Sequence, residues 1–159
     1  GLVDFGLAVD AEAWRAGGCG GDLGGDGRYW PASAWYVFGH GSKRLALFPA
    51  MYDEFCHCLD SYALGLSALR CWVELAPSEA DGEDDARWTV AFRGVRDAWG
   101  RYWRRACQLW RPVFKASRFA SELETIRQTY GGVGVHRMLL SDLRALRRAL
   151  SEARDACAG

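Results

Sequence analysis

The chain has 159 residues and a formal net charge of zero at pH 7, and half of its residues are apolar while a quarter are charged. This composition excludes an intrinsically disordered chain, and the length with only six cysteines excludes a small disulfide-rich scaffold. The longest nearly uncharged apolar stretch, residues 61–76, is too short to cross a bilayer, so we expect no membrane segment.

The N-terminal part consists of an apolar run followed by a glycine-rich stretch. Residues 1–9 are apolar apart from interruptions such as Asp4 and Gly6, which predicts a short strand leading into a turn. The glycine-rich residues 17–27 predict a flexible loop, and a phosphate-binding loop is disfavoured because no Gly-Lys-Ser/Thr ends them. The chain opens with Gly1 instead of Met, so we expect the true N-terminus to be missing, which leaves the cellular compartment open.

Residues 36–57 and 58–76 have contrasting patterns. The first segment predicts irregular structure because two glycines and a proline punctuate it, namely Gly39, Gly41 and Pro49. The second is apolar nearly all round a helical period, which predicts a buried helix. A zinc site at Cys56-His57-Cys58 is the weaker interpretation, because a single residue separates the cysteines and no second Cys/His pair follows.

Residues 86–159 are predicted to be helical. An aromatic stripe at helical spacing marks the first long helix and consists of Trp99, Trp103, Trp110 and Phe114. A last helix over residues 138–157 has leucines on its predicted buried face, at positions Leu139, Leu143, Leu146 and Leu150. Arginines lie on the other face of the aromatic helix. Aromatic side chains next to cationic side chains also occur in nucleic-acid binders. We favour a packed amphipathic helix with a solvated basic face, since the rings share one stripe, and nucleic acid is the less favoured partner.

The two halves of the chain carry opposite charge. Residues 1–85 hold 5 Lys/Arg and 14 Asp/Glu, a net −9, and residues 86–159 hold 15 and 6, a net +9. Such halves can attract each other within one fold or can form separate acidic and basic partner surfaces. Because the charges balance, attraction within one fold is the favoured interpretation.

A metal-binding pattern lies in the N-terminal apolar run. Leu2-Val3-Asp4-Phe5-Gly6 resembles the strand and Asp-Phe-Gly turn of protein kinases. The resemblance implies that Asp4 holds the Mg²⁺ that bridges ATP phosphates, because this hard cation takes carboxylate oxygens. It also implies that Phe5 and Gly6 complete the cofactor-binding turn, with Gly6 allowing the backbone to flip.

A second motif opens the apolar helix of residues 58–76. Asp60-Ser61-Tyr62-Ala63-Leu64-Gly65 is similar to the Asp-x-(Trp/Tyr)-(Ser/Ala)-x-Gly start of the central helix in the C-terminal lobe of protein kinases. The resemblance implies that this helix is the core around which the lobe is built. In that family the Asp, here Asp60, supports the backbone of the catalytic loop, and the Gly, here Gly65, is structural.

Between these motifs, residues 25–33 look like the end of a kinase activation segment. The resemblance implies a ledge that binds protein substrate, formed by Arg28, Tyr29, Trp30, Pro31 and Ser33. Two positions depart from the family pattern, since Asp26 replaces a Thr and Ser33 replaces a Glu. That Glu would pair with a late Arg, here Arg137, which we expect to be partly buried and structural.

The resemblance covers the whole chain and implies a mainly α fold, namely the C-terminal lobe of a divergent kinase domain. Residues 1–35 would hold the metal-binding turn and activation segment, 36–57 an irregular insertion, 58–76 the buried central helix, and 86–159 the C-terminal helices. The intact parent is expected to bind ATP and Mg²⁺ and to phosphorylate protein hydroxyls, with a preference for Ser/Thr.

The isolated chain is expected to be inactive. It lacks the phosphate-positioning Lys strand and the His-Arg-Asp catalytic loop, which would lie upstream with the N-terminal lobe. Two alternatives stay open at this point. The chain could belong to a pseudokinase scaffold, or it could be an interaction module without catalysis.

Overall fold

The computed structural model describes residues 11–14, 24–76 and 86–158. Within these ranges the chain is helical and forms no strand, which confirms the mainly α prediction. Helical turns occupy Ala11–Ala13 and Gly27–Tyr29. The longer described helices are α1 (Ala32–His40), α2 (Ser42–Leu45), α3 (Pro49–His57), α4 (Leu59–Leu75), α5 (Ala86–Ala116), α6 (Ala120–Val133) and α7 (Val135–Cys157). The predicted N-terminal strand lies outside the described residues.

The core is built around α1. Every residue from Ala32 to Phe38 is buried, and the helix contacts α2, α3, α6 and α7. The Trp35 ring lies 5.2 Å from Trp30 and 6.0 Å from both Phe38 and Tyr130, measured between ring centroids. A helix without charged side chains can be enclosed on all sides because no charge loses its hydration.

Helices α5 and α7 form the most extensive helix pair. Each buries one apolar face, as predicted, and Arg105 of α5 pairs with Asp142 of α7. Buried positions in α5 recur every three or four residues and include Val95, Tyr102, Leu109 and Val113. In α7 the predicted Leu139 and Leu146 are buried, and Leu143 and Leu150 pack partly buried against the core.

The aromatic stripe of α5 is confirmed in three of its four positions. Trp99 is buried, and Trp103 and Trp110 are half-buried against the core. The prediction is wrong for Phe114, whose side chain is 66% exposed. Its neighbour Val113 occupies the buried row instead, so Phe114 faces away from the core.

Residues 58–76 form the predicted helix, α4, but the prediction that it is buried and central is wrong. Leu66 is its only buried residue, and Leu64 and Leu75 are 71% and 82% exposed. The physical reason is that α4 carries Arg70 and Glu74 among its apolar residues, whereas α1 has no charge between residues 31 and 39. Burial of α4 would remove these charges from water, so α1 takes the central position instead.

The predicted irregular segment 36–57 is also wrong, because it is largely helical. Its glycines and proline lie at helix ends. Gly41, with φ of 81°, follows α1, and Pro49 is the first residue of α3. Both positions suit their residues, since glycine tolerates positive φ and proline needs no N–H in the first helical turn.

A histidine pair lies where the end of α1 meets the start of α7. His40 and His136 have ring centroids 6.0 Å apart, and the Tyr36 ring lies 4.5 Å from His40 and 5.0 Å from His136. Burial, His40 and the adjacent Arg137 together lower the pKa of His136 below its usual value. Protonation of His136 is therefore less favourable in the folded chain than in the unfolded chain.

We expect His136 to make the fold sensitive to acid. Because the pKa of His136 is lowered in the folded state, the unfolded state binds more protons below about pH 6.5. The contribution of His136 to the free energy of unfolding is therefore complete above that pH and decreases as the pH falls through the lowered pKa. The slope for one proton is at most about 1.4 kcal/mol per pH unit. Urea unfolding at several pH values should show a shallower acid dependence for His136→Gln than for the wild type. An acid dependence that is the same in both proteins would contradict the assignment to His136.

Candidate functional site

The Gly27–Tyr29 turn organises a cluster of polar and aromatic side chains on α4 and α5. Asp26 caps the turn, since its Oδ1 accepts a hydrogen bond of 3.0 Å from the Arg28 backbone N–H. The Arg28 guanidinium returns to the same carboxylate through Nε, at 3.0 Å and 2.9 Å from the two oxygens. Both the turn and its charge pair are therefore determined locally, by two residues that are neighbours in sequence.

Trp103 of α5 is the platform of this cluster. The guanidinium carbons of Arg28 and Arg70 lie 5.5 Å and 5.0 Å from its ring centroid. The Tyr29 ring meets Trp103 edge-on at 5.4 Å between centroids. Cations over an indole face are stabilised by its negative π surface.

Arg70 connects the turn to α4. Its Nη1 donates to the Tyr29 hydroxyl at 3.2 Å, and its Nε donates to Glu74 Oε1 at 2.8 Å. The hydrogen bond with Glu74 raises the pKa of Arg70, and the hydrogen bond with Asp26 raises the pKa of Arg28. Each cation thus has its own carboxylate. The cluster therefore fits a structural role, in which it holds the turn against α4, better than it fits the binding of a free anion.

A second polar cluster lies deeper, between α3, α4 and α5. The hydroxyls of Tyr62 and Tyr102 are 3.1 Å apart. Burial raises the pKa of Tyr102 to about 12 and raises that of Tyr62 further, so both phenols stay protonated at neutral pH. Glu54 of α3 adds to the rise at Tyr62, and its Oε2 accepts a hydrogen bond of 3.3 Å from the Ser33 N–H.

The residues of the predicted substrate ledge differ in how deeply they are buried. Arg28 and Tyr29 are half-buried in the Trp103 cluster. Trp30 is 9% exposed and donates its indole N–H to Gly24 O at 3.0 Å, while Pro31 and Ser33 have less than 2% exposure. The N-terminus of the central helix α1 takes these last three residues into the core, and their role in substrate binding stays a prediction.

The other predicted site residues lie apart from this cluster or outside the described residues. Asp60 is exposed in the first turn of α4. Gly65 is exposed too, with open space where a Cβ would lie. Arg137 is exposed at the start of α7, so the prediction of a partly buried arginine is wrong, and Ser33 meets Glu54 instead. The predicted Mg²⁺ and cofactor residues Asp4, Phe5 and Gly6 fall outside the described residues.

Sequence reasoning missed Arg70, Trp103 and Glu54 as members of these clusters. Arg70 carried one usable signal, since it stands in an apolar stretch with Glu74 four residues later. The sequence places Trp103 in the core stripe, but its ring also contacts the guanidinium groups of Arg28 and Arg70. Glu54 had no signal, because its contact with Ser33 joins positions 21 residues apart.

Two searches of the described ranges bear on metals and membranes. No group of three or more His, Cys, Asp or Glu side chains there could hold a metal ion. No helix in that part of the chain is both long and apolar enough to cross a membrane.

Comparison with known proteins gives no relative for this chain. No family model, no curated protein and no solved structure matches it.

Proposed function

We propose that the chain is the C-terminal part of a divergent protein-kinase domain, whose intact parent transfers the terminal phosphoryl group of Mg·ATP to hydroxyls of a protein substrate. The proposal rests on the ordered sequence motifs at residues 2–6, 25–33 and 60–65. The observation that carries it furthest is the uncovered face of α4, the helix that bears the most specific of these motifs.

Apolar side chains are exposed along much of α4. Leu64, Ala68, Cys71 and Leu75 recur at helical spacing on one side of the helix, and the exposed charges Asp60 and Glu74 lie near its two ends. An exposed apolar strip of this kind on a globular protein marks a surface that another element covers. In a kinase-like lobe the remaining parts of the domain would cover it, which supports the proposal that the chain belongs to a larger unit.

The contact between the turn and α4 also supports the proposal. Arg70 of α4 donates to Tyr29 in the activation-segment motif, across 41 residues of sequence. The activation-segment motif and the helix that carries the motif of residues 60–65 are therefore neighbours in the folded chain. Asp60, exposed at the start of α4, remains accessible to support a catalytic loop supplied by the rest of the parent.

The cofactors of the proposed parent are ATP and Mg²⁺, where the metal neutralises phosphate charge during transfer. The carboxylate of Asp4 is the donor in this chain that suits Mg²⁺. The Lys and the catalytic Asp and Asn that a kinase needs would be supplied by upstream residues, so we expect no transfer by this chain alone.

A pseudokinase is the second candidate, and the Asp26 and Ser33 positions favour it. Asp26 is engaged by Arg28 within its own turn. Ser33 is fully buried and bonded to Glu54 through its backbone. Both residues that depart from the kinase pattern are thus held by contacts with other residues of this chain. A scaffold that binds partners without catalysis would tolerate them, whereas an active enzyme must compensate for them.

The test uses the native parent, isolated with an antibody against residues 86–158 and mapped by mass spectrometry. Transfer of labelled phosphate from Mg·ATP to peptides with Ser, Thr or Tyr is then measured. We expect Asp4→Asn to reduce transfer by about 100-fold or more, as loss of a transition-state charge partner does. Asp10→Asn, in the same segment but outside the motif, should leave it unchanged.

Each outcome distinguishes the candidates. Transfer that depends on Asp4 supports the kinase. A parent with the upstream lobe but without transfer supports the pseudokinase. Upstream peptides that contain neither a Val-Ala-x-Lys strand nor a His-Arg-Asp loop would overturn the kinase-domain proposal altogether.

A further inference from the structure

The second half of α5 carries a row of exposed cations on its outer face. We define the basic ridge as Arg104, Arg111, Lys115 and Arg118, all of which are exposed. The first three lie seven and four residues apart in α5, which places them on one side of the helix, and Arg118 follows its end. From Arg104 to Lys115 the ridge runs about 16 Å, at about 1.5 Å per residue.

This stretch of the chain has a uniform positive charge. Residues 98–121 contain six Lys/Arg and no Asp/Glu. Arg105 points to the neighbouring helix, where it pairs with Asp142. The next acidic residues along the chain are Glu122 and Glu124 on α6. The ridge therefore has no acidic residue in its own segment, and polyanions are the partners that it attracts.

Two exposed aromatic rings lie beside the ridge. Phe114 is 66% exposed and Phe119 is 56% exposed, and in sequence they flank the pair Lys115 and Arg118. The ring centroid of Phe114 lies 6.3 Å from that of Trp110, which anchors it to the half-buried stripe. The sequence disfavours nucleic acid only if all rings belong to the core stripe, and Phe114 lies outside it.

We propose that the basic ridge with Phe114 and Phe119 binds single-stranded nucleic acid, with the cations on successive phosphates and the rings stacked on bases. Unpaired strands expose base faces to such rings, whereas a duplex hides them. This activity is separate from the proposed phosphoryl transfer and does not depend on it.

Two other polyanionic partners fit the ridge less well. An anionic membrane is usually bound by laying the apolar face of a helix into the lipid, but the apolar face of α5 is buried against α7 and the Gly27–Tyr29 turn. An acidic protein segment would meet the cations, but its acidic side chains offer no ring to stack, whereas every nucleotide of a strand carries a base with a π face. The pairing of a linear cationic row with exposed rings therefore favours a strand of nucleotides.

The test measures fluorescence anisotropy of a labelled oligouridine of about 15 nucleotides with the whole chain. Salt is varied between about 50 and about 200 mM, and four phosphate contacts predict a slope of log K against log salt of about −2.8. We expect Lys115→Gln to reduce the slope by about 0.7. Phe114→Ala should weaken binding about 5- to 150-fold without changing the slope, because it removes stacking only.

Arg154→Gln is the matched control, since Arg154 is exposed on α7 and already paired with Asp155, and it should bind like the wild type. Three outcomes would overturn the proposal. The first is that polyglutamate competes as well as oligouridine, the second is that phosphatidylserine vesicles bind where oligouridine does not, and the third is that Phe114→Ala leaves the affinity for oligouridine unchanged. Anisotropy that rises equally for a duplex and a single strand also contradicts it.

Discussion

Gly131→Ala is expected to lower the free energy of unfolding by about 1–3 kcal/mol, although alanine is the better helix former. Gly131 of α6 touches Gly39 of α1 through backbone atoms, and a Cβ on Gly131 would lie 2.7 Å from the Gly39 carbonyl oxygen. Neither backbone can move aside without separating α6 from the central helix. Urea unfolding followed by far-UV circular dichroism measures the effect.

The adjacent Gly132 provides a matched control. It lies in the same helix, is exposed, and has open space where a Cβ would lie. Gly132→Ala should therefore stabilise the chain by up to about 1 kcal/mol through helix propensity alone. Gly39→Ala should destabilise like Gly131→Ala, since its Cβ would lie 2.9 Å from the Gly131 nitrogen. Equal effects of Gly131→Ala and Gly132→Ala would show that α1 and α6 do not make this contact.

The long helices could be predicted because their information is local. In α5 and α7 the apolar residues recur every three to four positions, and this period determines both the helix and its buried face. The one error in the stripe, Phe114, arose at the end of the helix. There, spacing alone did not show whether its ring or the neighbouring Val113 continues the buried row.

The central position of α1 has a signal in the sequence that apolar composition alone hides. Both α1 and α4 are rich in apolar residues, but only α4 also carries Arg70 and Glu74, which favour a position at the surface. The punctuation at Gly39, Gly41 and Pro49 was interpreted as irregular structure, whereas it marks helix ends. Three short helices separated by such residues resemble a loop when the boundaries are assigned from composition alone.

The candidate site illustrates the same limit. The pairing of Asp26 with Arg28 is local, and Asp26 was noticed only as a departure from a family pattern. The contact of Arg70 with Tyr29 joins residues 41 positions apart, and Trp103 comes from a third element. Such a contact has no periodic signal in one sequence, so the cluster appears only when the helices are packed.

Trp35→Ala is expected to cost about 3–5 kcal/mol of unfolding free energy, the largest effect that we predict for this chain. Its ring is 2% exposed and meets Trp30, Phe38 and Tyr130 at the centre of the core. Leu64→Ala in α4 should cost less than about 1 kcal/mol, because its side chain is 71% exposed. Far-UV circular dichroism during urea unfolding compares both variants without relying on tryptophan emission.

The same Leu64→Ala change should behave differently in the intact parent, and this contrast tests the proposed function. If the remaining parts of a kinase-like domain cover α4, Leu64 becomes buried there, and its truncation should cost about 2–5 kcal/mol. A variant that is nearly neutral in the isolated chain but destabilising in the parent would identify α4 as an internal surface. If Leu64→Ala is neutral in both, nothing covers the apolar face of α4. The likeness of its motif to the central kinase helix would then have no structural counterpart.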